Sequence, residues 1–244
     1  MATGRSVVVR VPATSANLGP GFDSFGLALG IVDELRVVST AAAGVRIAVS
    51  GEGVGKVPLD ESHLVVRALR AGLDRAGAAQ PGLDLSCVNA VPHGRGLGSS
   101  AAAVVGGLLA ARGLLDDPGP LDDGTVLELA TAFEGHPDNA AAALLGGFTV
   151  SWSESGAGTG AGPGSGSGGA EGARAVTVPL HPDVRAVVCV PEGELATATA
   201  RAMLPVEVPH ADAAFTAGRA GLLVHALAHR PDLLVTATEE RLHQ

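Results

Sequence analysis

Tyrosine is absent from this sequence, tryptophan occurs once and methionine twice, a bias toward alanine, glycine and valine that reads as composition rather than function. Cysteine is nearly as scarce. Cys87 and Cys189 each lie in a β-branched apolar run where a small buried thiol packs well, which excludes a disulfide framework or a zinc cluster. Basic residues are also few, with 16 Lys and Arg against 25 Asp and Glu and a formal net charge of -9. No clustered cationic footprint is left for nucleic acid, so any bound phosphate must be held by backbone dipoles and a metal. The first residues lack a continuous apolar run, and the stretch Ala101 to Ala111 is too short to span a bilayer. No membrane partner is expected, and the protein is placed in the cytoplasm.

What is present is enough for a core: 244 residues, 46% of them hydrophobic, fit one large domain or two small ones. Alternation predicts strands at Ser6 to Val11, ending at Pro12, then to Thr40 after a long polar loop, and at Val45 to Ser50, Leu83 to Val91 and Phe148 to Trp152. Helices are predicted from a Ser62 cap through Leu73, from Gly98 to Leu115, from Thr125 to Phe133 behind Asp122 or Asp123, and from Pro137 to Gly146. Residues 153–173 are glycine, alanine and serine text that cannot bury enough apolar surface to offset its ordering entropy, so a flexible insertion is expected there. Strands at Ala175 to Val178 and Val184 to Val190 are predicted next. Helices follow at Leu195 to Met203, Ala211 to Ala228 and Asp232 to Leu242. The last reads as helical to the final residue without a cap, which suggests a chain that has been cut.

The segment richest in chemistry is Pro92, His93, Gly94, Arg95, Gly96, Leu97, Gly98, Ser99, Ser100, Ala101 and Ala102. Its three glycines permit positive φ and close backbone approach, so successive N–H groups can converge on phosphate oxygens. A helix N-terminus beside Ser99 adds its positive dipole end, and two serine hydroxyls can bond phosphate or ligate magnesium. No lysine precedes the serines, so this is not a Walker A loop. Its position excludes the Rossmann fingerprint. A glycine-softened turn with a serine cap is the plain alternative for such a motif, and the strand before it and the small-residue helix after it favour phosphate.

With its flanks, PHGRGLGSSAAA resembles the second motif of the GHMP small-molecule kinases, the family of homoserine, mevalonate and galactose kinases. PATSANLGPGFDSFGLAL at Pro12 to Leu29 is similar to their first motif, in the wording particular to homoserine kinases. LELATAFEGHPDNAAAALLGGF at Leu127 to Phe148 and TATARAMLP at Thr197 to Pro205 are similar to two further segments of that group. The resemblance implies an α+β, two-domain fold, with a mixed α/β nucleotide domain over 1–152 and an incomplete ferredoxin-like α+β domain over 174–244. It implies ATP as co-substrate, Mg2+ held by Ser100 and Glu128, and an amino-acid pocket of Asn17, Asp23, His136, Asn139 and Arg201. The Asp23 carboxylate suits an ammonium group and the Arg201 fork a carboxylate. Asp138 and Asn139 are the expected catalytic residues, with Asn139 orienting the hydroxyl and Asp138 assisting less directly.

The resemblance also implies a closing glycine-rich motif that this chain does not carry after Gln244. SGAGTGAGP at Ser155 to Pro163 has the wrong context to replace it. Three readings follow. The first is phosphorylation of L-homoserine to O-phospho-L-homoserine in threonine biosynthesis, the second another GHMP kinase of the mevalonate-pathway type, and the third a non-catalytic nucleotide-binding fragment. A homodimer is common in the family.

Overall fold

A computed structural model describes residues 3–154, 172–190, 193 and 197–243, so most of the expected insertion at 153–173 lies outside the described residues. The strands β1 (Ser6–Ala16), β2 (Phe25–Thr40), β3 (Val45–Gly51), β4 (Gly82–Asn89), β5 (Phe148–Ser153) and β6 (Ala173–Val178) form one sheet. Their path runs β3-β4-β2-β5-β6, with β1 paired to β2. All pairs are antiparallel except β3 with β4. Because β6 bonds β5, the segment after residue 173 joins this sheet directly.

Alternation builds β1: Val9, Val11 and Ala13 are buried while Val8 and Arg10 face out. The strand does not stop at Pro12 as expected. It continues to Ala16 through a register shift between Pro12 and Thr14, because proline lacks the N–H that a regular ladder needs there. The polar connection is therefore shorter than the sequence suggests, spanning only residues 17–24.

Four helices, α1 (Leu64–Arg75), α2 (Ser99–Leu114), α3 (Asp123–Glu134) and α4 (Asp138–Leu145), complete this part of the molecule, and α2 and α4 both pack on β1 and β2. The main core lies between them and the sheet, built on Val11, Leu35, Val37, Leu69, Leu108 and Leu114. The small residues of α2 have a packing reason. A Cβ at Gly106 would collide with Leu35, and one at Gly107 with the Val65 carbonyl, so only glycine lets α2 lie this close to both the sheet and α1. Asp122 caps α3 by accepting from the Thr125 N–H at 2.7 Å.

The cap of α1 corrects the sequence reading. His63, not Ser62, is its N-cap, and the ring Nδ1 accepts from the Val65 N–H at 3.3 Å. Ser62 instead bonds Asp60. Burial pushes the His63 imidazole below its ordinary value of 6.5. A histidine with a depressed folded value stabilises the fold fully above the unfolded value and loses that contribution as pH falls through the folded one. Protonation would also remove the ring acceptor that caps α1. Thermal unfolding should therefore show Tm falling as pH drops below about 6.5, and His63→Asn, which keeps a capping oxygen, should flatten that slope. An unchanged slope in the variant would remove His63 as its source.

Beyond β6 come α5 (Thr197–Arg201), α6 (His210–Ala228) and α7 (Leu234–Ala237). Leu223 and Ala226 of α6 and Ala237 of α7 pack with Phe25 and Phe148 in a second cluster. Three expectations are corrected here. Residues 184–190 form no strand, since no described segment pairs with them, and Val187 is 89% exposed. Cys189, within that run, is exposed rather than buried, while Cys87 is buried. The last helix ends at Ala237 and does not run to the final residue. Among the described residues, no helix is long and apolar enough to cross a membrane.

Candidate active site

Between β4 and α2 the chain makes the glycine loop foreseen in the sequence. Gly94, Gly96 and Gly98 have φ of 68°, 72° and 65°, a region that ordinary side chains avoid. Gly98 is also the N-cap of α2, and no side chain caps that end. A Cβ there would collide with Thr14 Oγ1 and come within 3.0 Å of Asn139 Oδ1, so the loop is pressed against β1 and α4. Thr14 holds both sides, its N–H donating to the Leu97 carbonyl at 3.0 Å and its hydroxyl to Asn139 Oδ1 at 2.7 Å. Leu97 anchors the loop from beneath, packed with Ala13, Leu29 and Val91.

The cleft above this loop, about 500 Å3, is lined by Asn17, Gly96, Ser100, Glu134, His136 and Asn139 among others. A second hollow of about 290 Å3 shares Ser99 and Ser100 with it and is walled by Leu35, Val57, Pro58 and Val65. The two spaces meet at the start of α2. That geometry suits a ligand with an anionic middle at the loop and an apolar end in the smaller hollow.

Ser100 does not meet Glu128. Its hydroxyl donates to Glu134 Oε1 at 2.6 Å, whereas Glu128 takes the Arg174 guanidinium at 3.2 Å. The reason is helical: Glu134 is the last residue of α3, beside the left-handed Gly135 cap, and it lines the cleft over the loop, which Glu128 does not. Glu128 lies earlier on α3 and is neutralised by a cation, a poor arrangement for a metal ligand. Glu134 was not singled out from the sequence, although its position just before a helix-ending glycine and the HPDN turn was a usable signal.

The other expected residues converge. Asn17 and Asp23 are the non-glycine residues with positive φ among those described, at 55° and 56°. Such a backbone is tolerated by Asn and Asp and tends to cluster at functional sites. Asn17 Oδ1 accepts from the Asp23 N–H at 2.8 Å, which closes the loop between β1 and β2. Asp23, His136 and Asp138 bring ligand atoms within 4.8 Å of one another. Arg201 reaches over from α5, lies above the Phe22 ring at 5.1 Å and makes a two-pronged ion pair with Asp23.

Asp138 is fully buried at the start of α4. Its Oδ1 accepts from the Asn139 N–H at 2.7 Å and meets His136 Nδ1 at 2.7 Å, and its Oδ2 has no partner. The Asp138 hydrogen bond raises the His136 imidazole above its ordinary range, against burial, which acts the other way. A buried carboxylate oxygen without a donor is costly, and this one lies behind the cleft wall formed by His136 and Asn139. The set as a whole pairs a cationic and an anionic group beside hydrogen-bonding side chains, of which Asn17, His136 and Asn139 line the cleft over the glycine loop. It can hold a small zwitterion with its remaining polar group turned toward a phosphate.

Comparison with known proteins agrees with this geometry. Residues 63–147 match the model of the GHMP kinases N terminal domain. A homoserine kinase of Mycolicibacterium smegmatis is 53% identical over 243 residues, which are 99% of this chain and 74% of that protein. One from Rhodococcus erythropolis is 54% identical over 248 residues, covering 99% of this chain and 75% of the relative. The crystal structure of a homoserine kinase from Cytophaga hutchinsonii superposes with a TM-score of 0.77 at 26% identity, covering 100% of this chain and 74% of that one. The fold is thus the α+β fold of GHMP kinases, and at such identity over such coverage the chain belongs to the homoserine kinase family.

Proposed function

We propose that this chain is a homoserine kinase, an alcohol phosphotransferase that moves the γ-phosphoryl group of ATP to the side-chain hydroxyl of L-homoserine. The observation that carries the reading is the cleft in which the glycine loop faces Asn17, His136 and Asn139, with the Asp23–Arg201 pair joined to that wall through the cluster of Asp23, His136 and Asp138. ATP is accommodated with its base in the smaller hollow and its phosphates along Gly94 to Ser100, held by main-chain N–H groups and the N-terminal end of α2. Ser100 and Glu134 supply the two oxygen ligands typical of a protein site for Mg2+, the remainder coming from phosphate and water. Such an ion, when bound, neutralises charge on the β- and γ-phosphates.

The protein's own part is positioning. The Asp23–Arg201 pair is half-exposed and matches, charge for charge, the two ends of an amino acid. An entering zwitterion gives its ammonium to Asp23 and its carboxylate to the Arg201 fork, so neither side chain is left uncompensated. Asn139, held by Thr14, then lies where it can direct the substrate hydroxyl toward the loop. In the transfer a bond forms between that hydroxyl oxygen and the γ-phosphorus, and the bond from phosphorus to the ADP oxygen breaks. The hydroxyl proton is released to solvent, and Asp138, buried behind His136 and Asn139, assists less directly by holding both. Phosphoryl transfer is a loose process, so alignment and charge neutralisation supply most of the acceleration. The product is O-phospho-L-homoserine, a step on the route to threonine, in the cytoplasm.

An ADP-release assay with L-homoserine, mevalonate and galactose offered separately tests this. Homoserine is expected to be preferred by at least about a hundredfold in kcat/KM, since mevalonate would leave the Asp23 charge unmet and galactose would leave both charges unmet. Preference for mevalonate would instead support the related kinase reading. ATP binding without ADP release from any acceptor would support a non-catalytic one.

A further inference from the structure

Asp33 is a buried acid that the reaction described above does not use. It sits on the core-facing phase of β2, in step with Leu29, Leu35 and Val37, and is only 7% exposed. Burial pushes its carboxyl above the ordinary range, and what chiefly opposes that is the pair of backbone donors at Val91 and Ala90 rather than a basic side chain. An acid is an expensive choice for a position where a valine would pack, so the bonds it makes are informative.

Its Oδ1 accepts from the Ala90 N–H at 2.6 Å and from the Val91 N–H at 2.9 Å. Those residues lead from the end of β4 into Pro92 and the glycine loop. The ladder between β2 and β4 ends at Glu34 opposite Val88, and pairing between β2 and β5 begins only at Leu27 opposite Phe148. Along this edge, residues 28–33 of β2 thus have no strand partner, and it is here that the chain leaves the sheet to form the loop. Where backbone pairing stops, the Asp33 side chain takes it over. The same residue borders the smaller hollow together with Ser99, Ser100 and His93.

We infer that Asp33 is a positioning residue for phosphoryl transfer: by clamping the amides of Ala90 and Val91, it sets the direction in which the chain enters the phosphate loop and so the loop's affinity for nucleotide. The inference rests on the reading of Pro92 to Ser100 as that loop. Asp33 acts through the loop and not on the reacting atoms, so its removal weakens nucleotide binding and spares the amino-acid pocket.

Asp33→Ala and Asp33→Asn separate this from a merely structural role. In the alanine variant, KM for ATP and the Kd for MgATP by calorimetry are expected to rise about tenfold, with KM for homoserine within about twofold. Amide hydrogen exchange at Ala90 and Val91 should accelerate in parallel. Asparagine keeps an acceptor but loses its charge, so it should restore nucleotide affinity to within about threefold of the parent while still exchanging faster at those two amides. If the alanine variant does not fold, the asparagine variant decides alone through the exchange rates and the ATP KM. A lowered Tm with unchanged exchange at Ala90 and Val91 and unchanged MgATP affinity overturns the role of Asp33. Parent protein that itself binds no MgATP overturns the phosphate-loop reading instead, and the two failures are thereby distinct.

Discussion

Alanine at Glu134 is expected to lower kcat by about two to three orders of magnitude, whereas alanine at Glu128 should leave it within about threefold. The difference follows from where α3 brings its two acids. Glu134 lies 2.6 Å from the Ser100 hydroxyl at the mouth of the loop, and Glu128 is occupied by Arg174. A carboxylate that would help hold a metal ion beside the transferring phosphate would act mainly in the transition state, where charge on that group is redistributed, so its loss should fall on kcat. An acid bound to a half-exposed arginine contributes a surface ion pair, worth little. Steady-state rates of both variants over a magnesium titration check this. Raised magnesium should partly rescue Glu134→Ala, and the opposite ranking of the two variants would return the metal to Glu128.

The second large effect concerns the amino acid. Arg201→Ala is expected to raise KM for homoserine about a hundredfold while KM for ATP stays within about twofold. Two losses combine in the complex. The substrate carboxylate loses a two-pronged donor, and its ammonium is left beside Asp23 in a pocket whose charge no longer balances. In the free protein the Asp23–Arg201 pair is half-exposed, with side-chain exposures of 38% and 36%, so breaking it should cost little stability. The split between the two KM values therefore separates recognition from folding. Arg201→Lys should recover only part of the loss, because an ammonium cannot reproduce the planar fork. An unchanged homoserine KM in the alanine variant would remove Arg201 from the pocket.

Much of this site was readable before any coordinates, for a physical reason. The glycine loop, the strand before it and the helix after it are contiguous, so their chemistry survives as a local pattern. The positive φ at Gly94, Gly96 and Gly98 and the bare N-terminus of α2 are local consequences of that pattern. Asn17, Asp23, His136, Asn139 and Arg201 came through resemblance; of these, Asn17, His136 and Asn139 line the cleft over the loop, and Asp23 pairs with Arg201 beside His136.

What stayed hidden depended on which neighbour a residue meets. Glu128 and Glu134 belong to one helix, and spacing alone does not say which end of it approaches Ser100. Asp33 looked like one acid in a strand, and only the end of the β2–β4 ladder gives it a task. His63 displaced Ser62 as a cap because its ring, buried beside Val65, reaches the helix N–H that the serine leaves for Asp60. Residues 184–190 have strand composition, but composition cannot supply a partner strand, and none of the described residues provides one.

A crystal of the protein with Mn2+, a non-hydrolysable ATP analogue and homoserine would measure the central claim at once. Anomalous scattering should place the metal between Ser100 Oγ and the Glu134 carboxylate, with the phosphates over Gly94 to Gly98 and the homoserine hydroxyl facing them from Asn139. Manganese at Glu128, or a glycine loop packed by side chains with the nucleotide bound elsewhere, would contradict it.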